Sequence, residues 1–237
     1  MFPQFIPSRI QRLPVPKHWL ITALILSALV IALGLTVQDV PGLTSAELAV
    51  DQEFSRHHIP VLTLVALALN VLFSPVAGAL LVLATSLYLL LVRRSAQKAV
   101  LFAITVSSGW LTCQLFKVIV GRIRPDPALF LDPLVPEPVS NSFPSGHTSL
   151  AVALTLAAYF LVRDTHWAKP VLWAGLAVSL MVAWSRVYIG AHYPLDVVAS
   201  FPATTAAVMI MGGLWNRHAP SITARLQTAF GSLRHQK

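Results

Sequence analysis

Long apolar runs dominate this chain, and its polar residues gather between them. A helix needs about 20 apolar residues to cross the hydrocarbon of a bilayer. The runs over 19–37, 99–120, 148–162, 170–187 and 195–215 read as crossings. The run over 59–92 is too long for one ordinary crossing, and Ser74-Pro75 interrupts it. It divides into a half-buried helix to about Phe73 and a true span over 75–92, with two full crossings as the alternative. The pattern predicts an all-α integral membrane bundle of six transmembrane helices, with an additional interfacial helix segment before the second span.

Loop charges decide between six and seven spans. With six, one side holds Arg9, Arg12 and Lys17, then Arg93, Arg94 and Lys98, then Arg163 and Lys169, then Arg217, Arg225, Arg234 and Lys237. The other side holds an acidic loop with Asp39, Glu47, Asp51 and Glu53. Basic loops on alternate connections satisfy the positive-inside rule. Splitting 59–92 into two crossings would put the basic N-terminus and Arg93-Arg94 on opposite sides. Six spans with both termini cytoplasmic is the expectation.

Composition sharpens the class. The 237 residues are 56% hydrophobic and only 11% charged, with a mean hydropathy of +0.70. A soluble domain carries roughly a quarter charged residues, so this chain cannot cover itself with a hydrated surface. No polar linker divides it, and a single domain over 1–237 is expected. The net charge of +8 fits basic loops and anionic lipid. The basic residues are scattered and form no stripe, which argues against nucleic acid as a partner. Cys113 is the only cysteine, so neither an intrachain disulfide nor a cysteine-based metal site can form. The run after Arg9, Arg12 and Lys17 resembles a signal peptide, but its length and the lack of a small-x-small site favour an uncleaved first span. Trp19, Trp167 and Trp215 suit interfacial anchors. Ser107, Ser108, Gly109, Thr112 and Gln114 suit close helix packing. Nothing in the pattern sets an oligomeric state.

Three polar clusters sit at the ends of apolar segments, where charge is costly and points to function. In the first, Lys117 and Arg124 are seven positions apart, about two helical turns, and can share one face at a span end. Arg186 ends another span. Arginine's planar fork matches phosphate oxygens two at a time; the plain alternative for each cation is snorkelling to headgroups. Arg122 falls off the shared face and is read as snorkelling. In the second cluster, Pro144 suits a first helical turn and Ser145 its cap. A helix start with Gly146 behind it can also approach and bind an anion. In the third, His192 and Asp196 lie four positions apart around Pro194. Such a carboxylate can fix one imidazole nitrogen and leave the other lone pair free to attack phosphorus. His147, from another helix start, could protonate a leaving oxygen. The plain alternative is an ordinary helix start with Asp196 on its dipole.

Taken together, Lys-x6-Arg-Pro, Pro-Ser-Gly-His and Ser-Arg-x5-His-x3-Asp, in that order, resemble the three-part signature of the type 2 phosphatidic acid phosphatase superfamily, the membrane lipid phosphate phosphatases. Every signature position is matched within a motif region over 117–196. The resemblance implies a metal-independent phosphatase that works through a phosphohistidine and needs no cofactor. His192 would be the nucleophile, Asp196 its orienting partner, and His147 the general acid and then the base for water. Lys117, Arg124, Ser145, Gly146 and Arg186 would bind the phosphate, and Ser185 belongs to the motif.

The expected partners are the bilayer and a lipid phosphate whose tail stays in it. Polyprenyl (undecaprenyl) diphosphate is the first choice, beside phosphatidylglycerol phosphate and phosphatidic acid. The expected place is the cytoplasmic membrane, with the site facing the periplasm or the cell exterior. The segment over 125–144 carries six prolines and reads as a stiff rim or a simple connector. A phosphotransferase using the same phosphohistidine is the rival enzyme. A transporter or flippase is the rival of another class, but polar residues would then line mid-span positions instead of one membrane face.

Overall fold

The structure is a computed structural model that describes residues 12–40, 42–136 and 140–234, with side chains as far as residue 219. Arg9, Pro138 and Lys237 lie outside the described residues, as do the side chains of Arg225 and Arg234. The described residues form eight α-helices: α1 (Trp19–Asp39), α2 (Leu43–Arg56), α3 (Pro60–Leu72), α4 (Pro75–Leu87), α5 (Ala96–Val120), α6 (Gly146–Val162), α7 (Ala168–Tyr188) and α8 (Pro194–Arg234). A π turn, Tyr88–Val92, prolongs α4. Five stretches are long and apolar enough to cross a membrane: Trp19–Asp39, Pro75–Val92, Ala96–Val120, Ala168–Tyr188 and Pro194–Ala219. α3 and α6 are apolar but shorter. The 17 residues of α6 rise about 26 Å, a little less than a typical hydrocarbon core.

The break at Ser74-Pro75 has a local cause. Ser74 caps α4 by accepting from the Ala77 N–H at 3.3 Å, and Pro75 occupies the first turn, where a missing N–H costs nothing. Large apolar side chains such as Leu64, Val71 and Val76 face outward, as a lipid solvent requires. Inside, Phe73, Leu89, Phe102, Val106, Leu150 and Val182 join α3 to α7. Val30, Val37, Phe116, Val120, Phe143 and Ala203 bind α1, α5 and α8 together. At Gly109 the helices nearly touch: a Cβ there would lie 2.9 Å from both Ala153 of α6 and Thr204 of α8. Ser108 and Thr112 donate to carbonyls of their own helix.

One expectation fails. The acidic segment with Glu47, Asp51 and Glu53 is not a loop but helix α2. Gly42, at φ +88, turns the chain out of α1, and the Thr44 hydroxyl ties the first turn of α2 back to the Val37 carbonyl at 2.8 Å. α2 is inside out by ordinary standards. It buries Glu47, Asp51 and Ser55 while Val50 is exposed, so a search for apolar periodicity passes over it.

Candidate active site

The polar clusters converge where α5 and α7 end and α6 and α8 begin. α5 stops at Val120 because Gly121 adopts φ +72, a conformation glycine reaches without strain. The chain then runs extended. Arg122 O accepts from Ser142 N at 2.7 Å, and Ser140 O accepts from Arg124 N at 3.2 Å. Lys117 Nζ donates to Asn141 O at 2.5 Å while Asn141 Nδ2 donates to Lys117 O at 2.8 Å, which fastens both ends of the proline-rich segment. An extended chain alternates its side chains. Ile123 is 63% exposed, whereas Arg122 is 3% exposed and Arg124 turns inward to donate to Ala191 O at 3.3 Å.

This geometry corrects two expectations. Lys117 and Arg124 do not share a helix face; Arg124 arrives through the extended segment. Arg122 does not snorkel. Its Nη1 donates to Asp196 Oδ1 at 2.8 Å, its Nη2 donates to Glu47 Oε2 at 2.7 Å, and its guanidinium lies 3.9 Å from the Tyr193 ring centre.

Ser145 is the N-cap of α6 and Gly146 its first residue, so Pro144 stands before the cap and not in the first turn. The Ser145 hydroxyl accepts from Thr148 N at 3.5 Å. Ser145 N donates to Asp196 O at 3.1 Å and to Ser200 Oγ at 3.0 Å, and Ser200 Oγ donates to both Ser145 O and Asp196 O. Ser200 thus locks the start of α6 to that of α8.

His192 lies in the turn between α7 and α8. Ala191 N and His192 N both donate to Arg186 O, at 3.0 and 3.3 Å. Gly190 is at φ +70, and a Cβ there would sit 2.5 Å from the Phe130 ring. His192 is fully buried, with Nδ1 3.4 Å from Asp196 Oδ2. That oxygen also accepts from Tyr193 N at 3.1 Å. Nε2 meets no hydrogen-bond partner among the described residues. Burial pushes the imidazole well below its ordinary pKa, and the positive charges of Arg124, Arg186 and Lys117 push the same way. A neutral ring donating through Nδ1 carries its lone pair on Nε2.

His147 places Nε2 3.2 Å from the backbone carbonyl of Asn70 in α3. A carbonyl only accepts, so Nε2 carries the proton and Nδ1 is the basic nitrogen of the neutral ring. The Asn70 side-chain oxygen accepts from Nη1 of Arg186, a fully buried guanidinium. One residue of α3 therefore holds two groups of the site. Asn70 and Ser200 were not singled out from the sequence, Glu47 was read only as part of an acidic loop, and Arg122 was read as snorkelling. A lone amide in an apolar run was a usable signal for Asn70. The glycine that ends α5, followed by Arg-Ile-Arg alternation, was one for Arg122.

A buried imidazole beside a carboxylate, with three cations at the end of an apolar bundle, suits transfer of an anionic group. The family model of the PAP2 superfamily matches residues 97–220. Undecaprenyl-diphosphatase BcrC of Bacillus subtilis is 32% identical over 162 residues, which are 68% of this chain and 77% of that one. Phosphatidylglycerophosphatase B of Bacillus subtilis is 34% identical over 114 residues, 46% of this chain and 53% of that one. The crystal structure of a transmembrane PAP2-type phosphatidylglycerolphosphate phosphatase from Bacillus subtilis superposes with a TM-score of 0.70. It covers 83% of this chain and 97% of that one, at 23% identity, and so speaks for the fold alone. The chain belongs to the PAP2 superfamily of integral membrane lipid phosphatases, enzymes that use a phosphohistidine and no metal ion.

Proposed function

We propose that this chain, as one domain, removes the terminal phosphate of undecaprenyl diphosphate with His192 as nucleophile. The observation that carries this is the buried Nε2 of His192, unpartnered among the described residues while Nδ1 faces Asp196. In the first step the Nε2 lone pair forms a bond to phosphorus as the bond to the bridging oxygen breaks. Lys117, Arg124 and Arg186 offset the charge on the equatorial oxygens, the main need of phosphoryl transfer. The Ser145 hydroxyl and the Gly146 N–H, at the start of α6, add donors at a helix N-terminus. His147 enters this step as an imidazolium, with its Nε2–H on the Asn70 carbonyl, and gives its Nδ1 proton to the leaving oxygen. His147 then takes a proton from water, whose oxygen attacks the phosphohistidine and frees inorganic phosphate and His192. Undecaprenyl diphosphate is preferred because the relative named for it matches over most of both chains.

Six crossings, with α2 and α3 as interfacial helices, suit the geometry best. α6 starts beside the α7–α8 turn and α7 returns to it, so the two run antiparallel over the same depth. The 17 residues of α6 lie at the short end of the range for a crossing, which local thinning of the bilayer accommodates. Arg93, Arg94, Lys98, Arg163 and Lys169 then lie at the end opposite the site. That orientation places both termini in the cytoplasm and the site on the periplasmic or external face of the cytoplasmic membrane.

The test is release of free phosphate from undecaprenyl diphosphate, phosphatidylglycerol phosphate and phosphatidic acid, with and without EDTA, beside His192→Ala. The expected result is fastest turnover of the diphosphate, indifference to EDTA, and no turnover by a folded His192→Ala. Activity only on soluble monoesters would sink the lipid assignment, and wild-type rates in His192→Ala the nucleophile. Labelled phosphate appearing on an acceptor lipid would make the enzyme a transferase.

A further inference from the structure

The unexpected burial of Arg122 needs an explanation that the signature does not supply. A guanidinium inside a bundle this poor in charge is tolerated only when closely paired. Arg122 is paired on both prongs: Nη1 with Asp196 Oδ1 at 2.8 Å, Nη2 with Glu47 Oε2 at 2.7 Å. Nη2 also donates to Thr44 Oγ1 at 3.1 Å, and the plane rests on Tyr193. Glu47 has a second grip. Its Oε1 accepts from Leu195 N at 2.6 Å, on the residue next to Asp196 in the first turn of α8.

We propose that Arg122 and Glu47 are a positioning pair that fixes the Asp196 carboxylate, and through it the tautomer of His192. The proposal rests on His192 being the nucleophile. With Oδ1 taken by Arg122, the carboxylate cannot rotate, and Oδ2 is left for the Tyr193 N–H and His192 Nδ1. Without the guanidinium, Glu47 and Asp196 would face each other as like charges in an apolar interior. One must turn away or take a proton. A protonated Oδ2 donates to Nδ1 where it used to accept, which moves the ring proton to Nε2 and removes the lone pair aimed at phosphorus. α2, placed beside the site by its buried polar stripe, thereby acts on the reacting atom through two residues without touching substrate.

The test uses the full chain in detergent or nanodiscs, with folded protein quantified by size exclusion and thermal melting. kcat and KM for undecaprenyl diphosphate and trapped phosphoenzyme are measured for Arg122→Met, Arg122→Lys, Glu47→Gln and His192→Ala. Lost outer partners slow metal sites about 10–100-fold and a wrong tautomer slows a serine protease about 10⁴-fold. Between these, Arg122→Met should lose about 10³-fold in kcat with KM within about threefold and less phosphoenzyme. Arg122→Lys keeps the charge but not the fork, and should recover about tenfold of that loss. Glu47→Gln should lose about tenfold. A purely structural role would lower the folded fraction and leave kcat per folded enzyme unchanged, which overturns the proposal. So does a rise in KM at constant kcat. If Arg122→Met does not fold, wild-type kcat in both Arg122→Lys and Glu47→Gln overturns it. An inactive His192→Ala beside a fully active Arg122→Met sinks the pair alone; an active His192→Ala sinks the nucleophile first.

Discussion

Two buried carboxylates at the same end of the bundle have opposite surroundings. Asp196, at the start of α8, accepts from Arg122 and from the Tyr193 N–H, and faces His192. Asp51, one turn beyond Glu47 on α2, is 1% exposed, and neither of its oxygens has a hydrogen-bond partner among the described residues. Burial pushes the Asp51 carboxyl up to about 9; the charges of Asp196 and Glu47 add to this, and Arg122 opposes it. A carboxyl raised this far keeps its proton at neutral pH, while Asp196 is paired with a guanidinium. Burial alone therefore does not distinguish the two carboxylates. The partners do, because they decide whether a buried group stays charged and which way it points.

The sharpest way to break this contrast is to neutralise each carboxylate in turn. Asp196→Asn should reduce kcat by about 10⁴-fold, the loss seen when a triad's orienting carboxylate becomes an amide. Asp51→Asn should leave kcat within about threefold, since it swaps one neutral group for another. Steady-state phosphate release from purified variants decides the matter; comparable losses in both would erase the distinction.

A smaller effect separates holding a group from contacting substrate. Asn70→Ala removes one acceptor of Arg186 and leaves the backbone carbonyl that faces His147. A hydrogen bond to a charged group is worth about 1.5–3 kcal/mol, so kcat/KM should fall about 10–100-fold. Asn70→Asp restores an acceptor and should recover more activity than Ala. Equal rates for the two would show that Arg186 does not depend on this contact.

The last effect lies in stability and not in rate. A carboxyl that keeps its proton to about pH 9 when folded, against an ordinary 3.8, favours the folded state fully only at low pH. Stability then declines as pH rises between those values and levels off above the upper one, by at most about 1.4 kcal/mol per pH unit. Asp51→Asn lacks this titration, so its melting temperature should gain on the wild type as pH rises from 5 to 9. Parallel melting curves would mean that Asp51 is already ionised in the folded protein.

Much of this was legible in the chain. The helices match the apolar runs because length and continuity of apolar residues are what a bilayer selects. The break at Ser74-Pro75 was legible because a proline and a capping hydroxyl act locally. His192, Asp196, Arg186 and Arg124 stood out in the chain because ionisable residues are rare in such sequence, and the fold brings them to one end of the bundle. α2 was missed because it hides polar groups and shows apolar ones, the reverse of the usual pattern. Arg122 was missed because helical geometry was extended past Gly121, where the chain is no longer helical.

By itself the sequence determined the membrane solvent, the helical class and the residue types of a phosphate site, since these follow from composition and local order. Only the tertiary structure decided what each charge faces. Arg122, Glu47, Asn70 and Ser200 acquire meaning from partners far away along the chain, and no spacing rule encodes such a meeting. In an apolar interior the choice of partner sets the orientation and protonation of each buried group.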